Sequence, residues 1–327
     1  MMTRVHRVTG AEDPVLVEAA ALLRAGKLVA FPTETVYGLG ADGLNSEAVA
    51  RIYAAKGRPA SNPLILHVAG VEAARELVCE WPESADRLAA AFWPGPLTLV
   101  LEADPCVPAS VRGGGTSVAL RCPAHPVALA LLRQVGRPLA APSANRSSQL
   151  SPTLAEHVVA SLGDAVGLVL DAGPTAAGLE STILDLRSRP FRILRPGPLG
   201  PGELEACIGA VVLWQGAVPA GAIQAAPGMA SRHYAPQAKL ELVAPGAGVA
   251  VGPLRTAYVS LGPLPPLPAG ITGFSLSPDP VAAGARLFAL LHELDGAGFR
   301  RICFELPPPE EAWLAVRDRL QRAAAQA

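Results

Sequence analysis

Lys56 and Arg58 sit two residues apart at the end of a helix-like stretch, and Gly57 and Pro59 break that stretch at once. Cations there can simply complement a helix dipole. In a loop that also holds Asn62 they equally suit phosphate oxygens, which lysine meets as a point charge and arginine as a fork. The chain has only three lysines, Lys27, Lys56 and Lys239, which tilts Lys56 toward a role in chemistry. Thr33, Thr35 and Tyr37 alternate after a short apolar run and would share a face if the strand continued, although an ordinary polar turn has the same composition. Ser143 and Asn145 could serve one ligand or could bond their own turn. His67, in the apolar run 64–68, is either a satisfied core histidine or a ligand partner. Arg121 ends an apolar run and could fork onto a carboxylate, and the glycines at 113–115 before it permit either close ligand approach or a flexible hairpin. Glu180-Ser181-Thr182, Arg195-Pro196-Gly197 and Arg232-His233-Tyr234 complete the inventory. These groups hold anions and small polar molecules, and no activated nucleophile stands out among them.

Several familiar patterns are empty. Gly38-x-Gly40-x-x-Gly43 matches a dinucleotide fingerprint in letters, but no acidic residue lies between Glu47 and Glu72 to hold a ribose. Gly246-Ala247-Gly248 is weaker still, no Walker-type lysine loop occurs, and His292-Glu293 lacks the second histidine of a zinc protease. The five cysteines form no C-x-x-C pair, so neither a zinc site nor a disulfide framework is expected, and the odd count fits a reducing cytosol.

Helical and strand patterns alternate behind these residues. Helices are expected over 14–24, 46–55 (with Ser46 as N-cap), 71–78, 83–92, 125–135, 152–162 and 203–209. Strands are expected over 28–31, 64–68, 97–101, 117–121, 139–141, 167–171, 181–186 and 191–194. Residues 217–236 lose periodicity and read as a long linker. A second α/β pattern follows, with strands near 239–243, 255–260, 271–275 and 301–305, a helix over 281–297 and another from Pro309 onward. The reading is an α/β fold with a mixed sheet, in two domains without internal repeats.

The length of 327 residues fits two domains, and half the residues are hydrophobic. A net charge of −1 disfavours a nucleic-acid coat or a polybasic membrane binder. Glycine and proline number 32 and 33 and fall mostly between periodic segments, as loops do. The uncharged stretches 206–231 and 256–278 carry too many prolines or glycines for a membrane span, and the N-terminal residues lack the apolar core of a signal peptide. The expectation is a soluble, cytoplasmic protein.

Taken in order, P-T-E-T-V-Y-G-L-G at 32–40, K-x-R at 56–58, S-x-N at 143–145, E-S-T at 180–182, R-P-G at 195–197 and P-G-M…H-Y-A-P at 227–236 closely resemble the YrdC-like family of L-threonylcarbamoyl-AMP synthases. The resemblance is to the long form, with a linker and an extra C-terminal domain. It covers about 12–237 by motif and the rest by position and class. It implies a YrdC-like twisted mixed sheet with helices over 12–209, a linker that acts as an active-site lid over 210–237, and a smaller C-terminal Rossmann-like α/β domain over 238–327.

The resemblance further implies a nucleotidyltransferase. It would make threonylcarbamoyl-AMP and pyrophosphate from L-threonine, bicarbonate and ATP with Mg²⁺, and a threonylcarbamoyl transferase complex would place the group on tRNA. Thr35, His67, Arg121, Ala141 and Ser181 would then hold threonine. Lys56, Arg58, Asn62, Ser117, Ser143, Asn145, Ser151, Arg195 and Tyr234 would hold ATP, with Lys56 and Arg58 on the phosphates. Two departures from the family pattern are Ser117, where threonine is common, and Ala230, where a basic residue is common; Arg232 could substitute for the latter. The competing readings are an RNA-binding translation factor, disfavoured by charge and few aromatics, a hydrogenase-maturation carbamoyltransferase module, disfavoured by the missing cysteine pairs, and a regulatory role for the C-terminal half.

Overall fold

A computed structural model describes residues 3–214, 224–229 and 233–325. The first domain contains β1 (Arg4–Arg7), α1 (Val15–Arg24), β2 (Val29–Phe31), β3 (Gly38–Asp42), α2 (Ser46–Lys56), β4 (Ile65–His67) and α3 (Val71–Arg75). It continues through α4 (Glu83–Phe92), β5 (Leu97–Glu102), β6 (Ser117–Arg121), α5 (Pro126–Val135), β7 (Leu139–Ala140) and α6 (Ala155–Leu162). It closes with β8 (Leu168–Asp171), β9 (Thr182–Asp185), β10 (Phe191–Arg195), α7 (Pro201–Ile208) and β11 (Val211–Leu213). The second domain holds β12 (Lys239–Val243), β13 (Thr256–Leu261), β14 (Ile271–Leu276), α8 (Pro280–Gly296), β15 (Arg301–Glu305) and α9 (Leu314–Ala324).

The first eleven strands form one mixed sheet in the order β1-β8-β2-β3-β7-β4-β6-β5-β9-β10-β11. Its strands are short, and the central ones are buried on both faces, so they read as apolar runs rather than alternation. The second sheet, β12-β15-β13-β14, is wholly parallel, with α8 and α9 packed into its core. That core also takes in Val36, Leu150, Leu179 and Tyr234, so it reaches across the domain boundary. Among the described residues no helix is long and apolar enough to cross a membrane.

Three strands escape the sequence reading. β1 and β11 are sheet edges, short and partly exposed. β3 has glycines where strands usually have branched residues. A Cβ at Gly40 would lie 2.7 Å from the Phe31 ring, and one at Gly43, just beyond the strand, 2.6 Å from Leu66. Packing, not a nucleotide, accounts for the G-x-G-x-x-G letters. The N-cap of α2 is Asn45 rather than Ser46, because the Asn45 side chain accepts from the N–H groups of Glu47 and Ala48. The expected helix at 152–162 begins only at Ala155.

Candidate functional site

The site lies where turns and strand ends of the first sheet converge. β2 and β3 pair antiparallel with Phe31 opposite Gly38, so residues 32–37 form the hairpin loop. The strand does not continue. Thr33 Oγ1 donates to the Val36 carbonyl (2.6 Å) and meets Thr35 Oγ1 at 2.8 Å. Tyr37 turns away, donating to the Gly173 carbonyl at 2.7 Å. β4 and β6 run parallel with His67 beside Arg121, which puts both side chains on one face.

Arg121 is buried and well braced. Nη1 donates to Thr35 Oγ1 (2.9 Å), Nη2 to Glu34 Oε1 (2.6 Å) and Nε to the Gly95 carbonyl (3.1 Å). Burial, and then the Arg121 charge, push the His67 imidazolium down to about 3, so the ring is neutral. Its Nδ1 is buried without a partner among the described residues. A neutral ring beside a fixed guanidinium suits a ligand that carries both a carboxylate and a hydroxyl.

The other end of the recess is cationic. Arg195 donates through Nε (3.1 Å) and Nη2 (2.9 Å) to the Ser181 carbonyl and reaches Ser181 Oγ at 3.1 Å. Ser181 Oγ also meets Thr98 Oγ1 at 2.8 Å. Arg58 is aimed by Asn62, donating to its carbonyl (3.0 Å) and its Oδ1 (2.5 Å). Burial lowers the Arg58 guanidinium to about 10, which leaves it charged at neutral pH.

Thr35, Arg58, His67, Arg121, Ala141, Ser143, Ser181, Arg195 and Tyr234 all line this recess. Lys56, Asn62, Ser117, Asn145 and Ser151 are not among its lining residues. The Lys56 ammonium donates to the carbonyls of Ser143 (2.6 Å) and Asn145, so it fixes the S-x-N turn rather than facing the opening. Burial, and then Arg58, hold that ammonium well below its usual range. Asn145 Nδ2 bonds the Arg146 and Gln149 carbonyls, leaving Oδ1 unpartnered among the described residues. The Ser151 hydroxyl donates to Glu180. Ala141 spends its N–H on the Ile65 carbonyl (3.0 Å), so only its other backbone edge faces the recess. Ser117 lies in β6 opposite Glu102.

Sequence reasoning gave no role to Glu34, Thr98, Glu180, His233 or Arg319. Glu34, Glu180 and His233 lie within the motifs at 32–40, 180–182 and 227–236. Arg319 carries no local signal for the site, since besides the adjacent Asp318 its carboxylate partner is Glu180, 139 residues away. Among linker residues, Pro227, Gly228, His233 and Tyr234 line the recess, whereas Ala230 and Arg232 lie outside the described residues. Gly228 has φ +83°, and a Cβ there would meet the Tyr234 hydroxyl at 2.7 Å and Arg195 Cδ at 3.0 Å.

Residues 21–197 match the Sua5/YciO/YrdC family model, described as "Telomere recombination". Residues 201–325 match the model described as "Threonylcarbamoyl-AMP synthase, C-terminal domain". The threonylcarbamoyl-AMP synthase of Pyrococcus abyssi is 50% identical over 226 residues, 69% of this chain and 66% of that protein. That of Bacillus subtilis is 47% identical over 234 residues, 70% and 67% of the two chains. The aligned stretches thus span about two thirds of these curated relatives. The crystal structure of P. abyssi Sua5 complexed with L-threonine superposes with a TM-score of 0.88 at 39% identity, covering 99% of this chain and 97% of that one. A variant of the same protein with a histidine and the following tyrosine replaced by alanine gives a TM-score of 0.90 at 38% identity, covering 99% and 96%.

Proposed function

The chain belongs to the Sua5/YciO/YrdC family in its long form, and from that membership we propose that it is an L-threonylcarbamoyl-AMP synthase. The observation that carries the reading is the two-ended recess, with braced Arg121 and neutral His67 at one end and Arg58 and Arg195 at the other. Arg121 takes the threonine carboxylate, and His67 meets the hydroxyl without adding a second positive charge. The neutral amine of threonine adds to CO2 derived from bicarbonate. A nitrogen–carbon bond forms and a proton leaves, giving a carbamate.

A carbamate oxygen then attacks the α-phosphorus of ATP, and the bond to the leaving pyrophosphate breaks. This step asks for position and charge neutralisation, not for a nucleophilic side chain. Arg58 and Arg195 offset phosphate charge, Lys56 and Asn145 hold the turn that carries Ser143, and Tyr234 covers the nucleotide and excludes water. Mg²⁺ is an oxygen-seeking ion that keeps phosphates and water as ligands. Among the described residues no group of three acidic, histidine or cysteine side chains converges to cage it, and the two Glu180 oxygens are already taken by Ser151 and Arg319. The donor set fits Mg²⁺ brought in on ATP and held mainly by its phosphates and water. The product passes to a separate transferase complex acting on tRNA in the cytoplasm, and direct RNA binding is secondary.

Pyrophosphate release is measured with Mg²⁺ and ATP while threonine and bicarbonate are omitted in turn. Release that requires both is expected. No release under any combination from folded protein overturns the reading and turns attention to salt-dependent RNA binding.

A further inference from the structure

The run 178–182 is shared by both domains. Gly178 has φ +67°, and a Cβ on it would lie 2.5 Å from the Ala285 carbonyl oxygen in α8. Leu179 is buried in the second domain's core. Ser181 and the buried Glu180 both line the recess. Glu180 Oε2 accepts from Arg319 Nε on α9 at 2.7 Å, and its carbonyl accepts from Nη2 at 3.4 Å. Arg319 is 1% exposed. Its guanidinium also lies 4.9 Å from the Tyr234 ring centroid. Tyr234 itself holds φ +61°, a left-handed conformation that a bulky residue keeps only when its surroundings impose it. The neighbouring His233 N–H donates to the Arg322 carbonyl of α9 at 3.3 Å.

A buried carboxylate on the wall of an anion site is a problem unless a cation answers it. Arg319, which is not among the residues lining the recess and whose Nη1 also donates to Asp318 Oδ2 at 2.6 Å, answers it without competing for the ligand. We propose that Arg319 is a positioning residue for the nucleotide end of the recess: it neutralises Glu180, and through Glu180 it fixes Ser151 and the approach to Arg195. The second domain thereby supplies part of the site's electrostatics and does more than anchor the linker. This rests on the reading of the recess as an ATP site.

The test uses the full chain and measures equilibrium binding of Mg-ATP and of L-threonine, with a thermal melt for every variant. Arg319→Met is expected to weaken Mg-ATP binding by about tenfold or more while threonine binding changes by less than about threefold. Adding Glu180→Gln should restore Mg-ATP binding to within about threefold of the wild type, because a neutral pair no longer needs the cation. A general loosening of the fold would not be rescued in this way. Where Arg319→Met alone does not fold, Glu180→Gln is compared with the double variant, and binding within about threefold of each other is expected. Equal loss of both ligands, or a double variant no better than Arg319→Met, overturns the inference alone when the wild type binds Mg-ATP. A wild type that binds no Mg-ATP overturns both readings.

Discussion

Replacing Lys56 by alanine should cost stability as well as turnover. The ammonium satisfies two carbonyls in the turn that carries Ser143 and Asn145, and leaving buried acceptors unpaired costs about 1–3 kcal/mol. A lowered melting temperature together with reduced pyrophosphate release is expected; an unchanged melt would mean the turn holds itself. Arg121→Lys is the complementary case. Lysine keeps the charge but cannot serve Thr35, Glu34, the Gly95 carbonyl and a carboxylate from one planar fork. The threonine KM should rise by about tenfold or more while the ATP KM stays within about threefold, because the two ends of the recess are held by separate residues. A parallel rise in both would place Arg121 in general support of the fold.

At the level of elements, residues 178 and 228 combine a positive φ with a neighbour closer than 3 Å to where a methyl group would sit. Gly178→Ala adds a Cβ 2.5 Å from a carbonyl of α8, at a positive φ. It should separate the domains locally and destabilise by roughly 2 kcal/mol or more, read as a lower melting temperature. How far the elements were legible follows the same physics. Helices such as α1 and α5 bury one stripe and announce themselves by period. The strand β3 did not, since its glycines answer to the Phe31 ring across the hairpin, which no local pattern encodes. In the site, the polar turns after short strands are visible as motifs. The contacts behind them are not: the type and loop of Lys56 fit phosphate, and nothing local shows that its ammonium also bonds a turn 87 residues away. Glu180 and Arg319 find each other only through the docking of two domains.

Across the whole molecule, buried neutral histidines tie stability to pH. Burial, with the neighbouring charge or ring second, pushes both His67 and His157 down to about 3, and His233 and His292 are lowered as well. Each takes up a proton near pH 6.5 once unfolded, so the stabilisation is complete above about pH 6.5 and is lost as pH falls below it, toward 3 for His67 and His157. His157 and His292 stack across the domain boundary with centroids 3.8 Å apart. The melting temperature should therefore drop steeply between pH 7 and about 4, and His157→Gln should flatten that slope. A slope unchanged in the variant would assign the loss to other groups.

The sharing of residues 178–182 between two cores also bears on how genes of this kind change length. A stop codon placed after the first domain would leave Leu179 without its apolar surroundings and the Glu180 carboxylate without its cation. A chain cut there would present an apolar side chain at 179 and a carboxylate without its partner at 180, so the loss would reach into the first domain as well as removing the second.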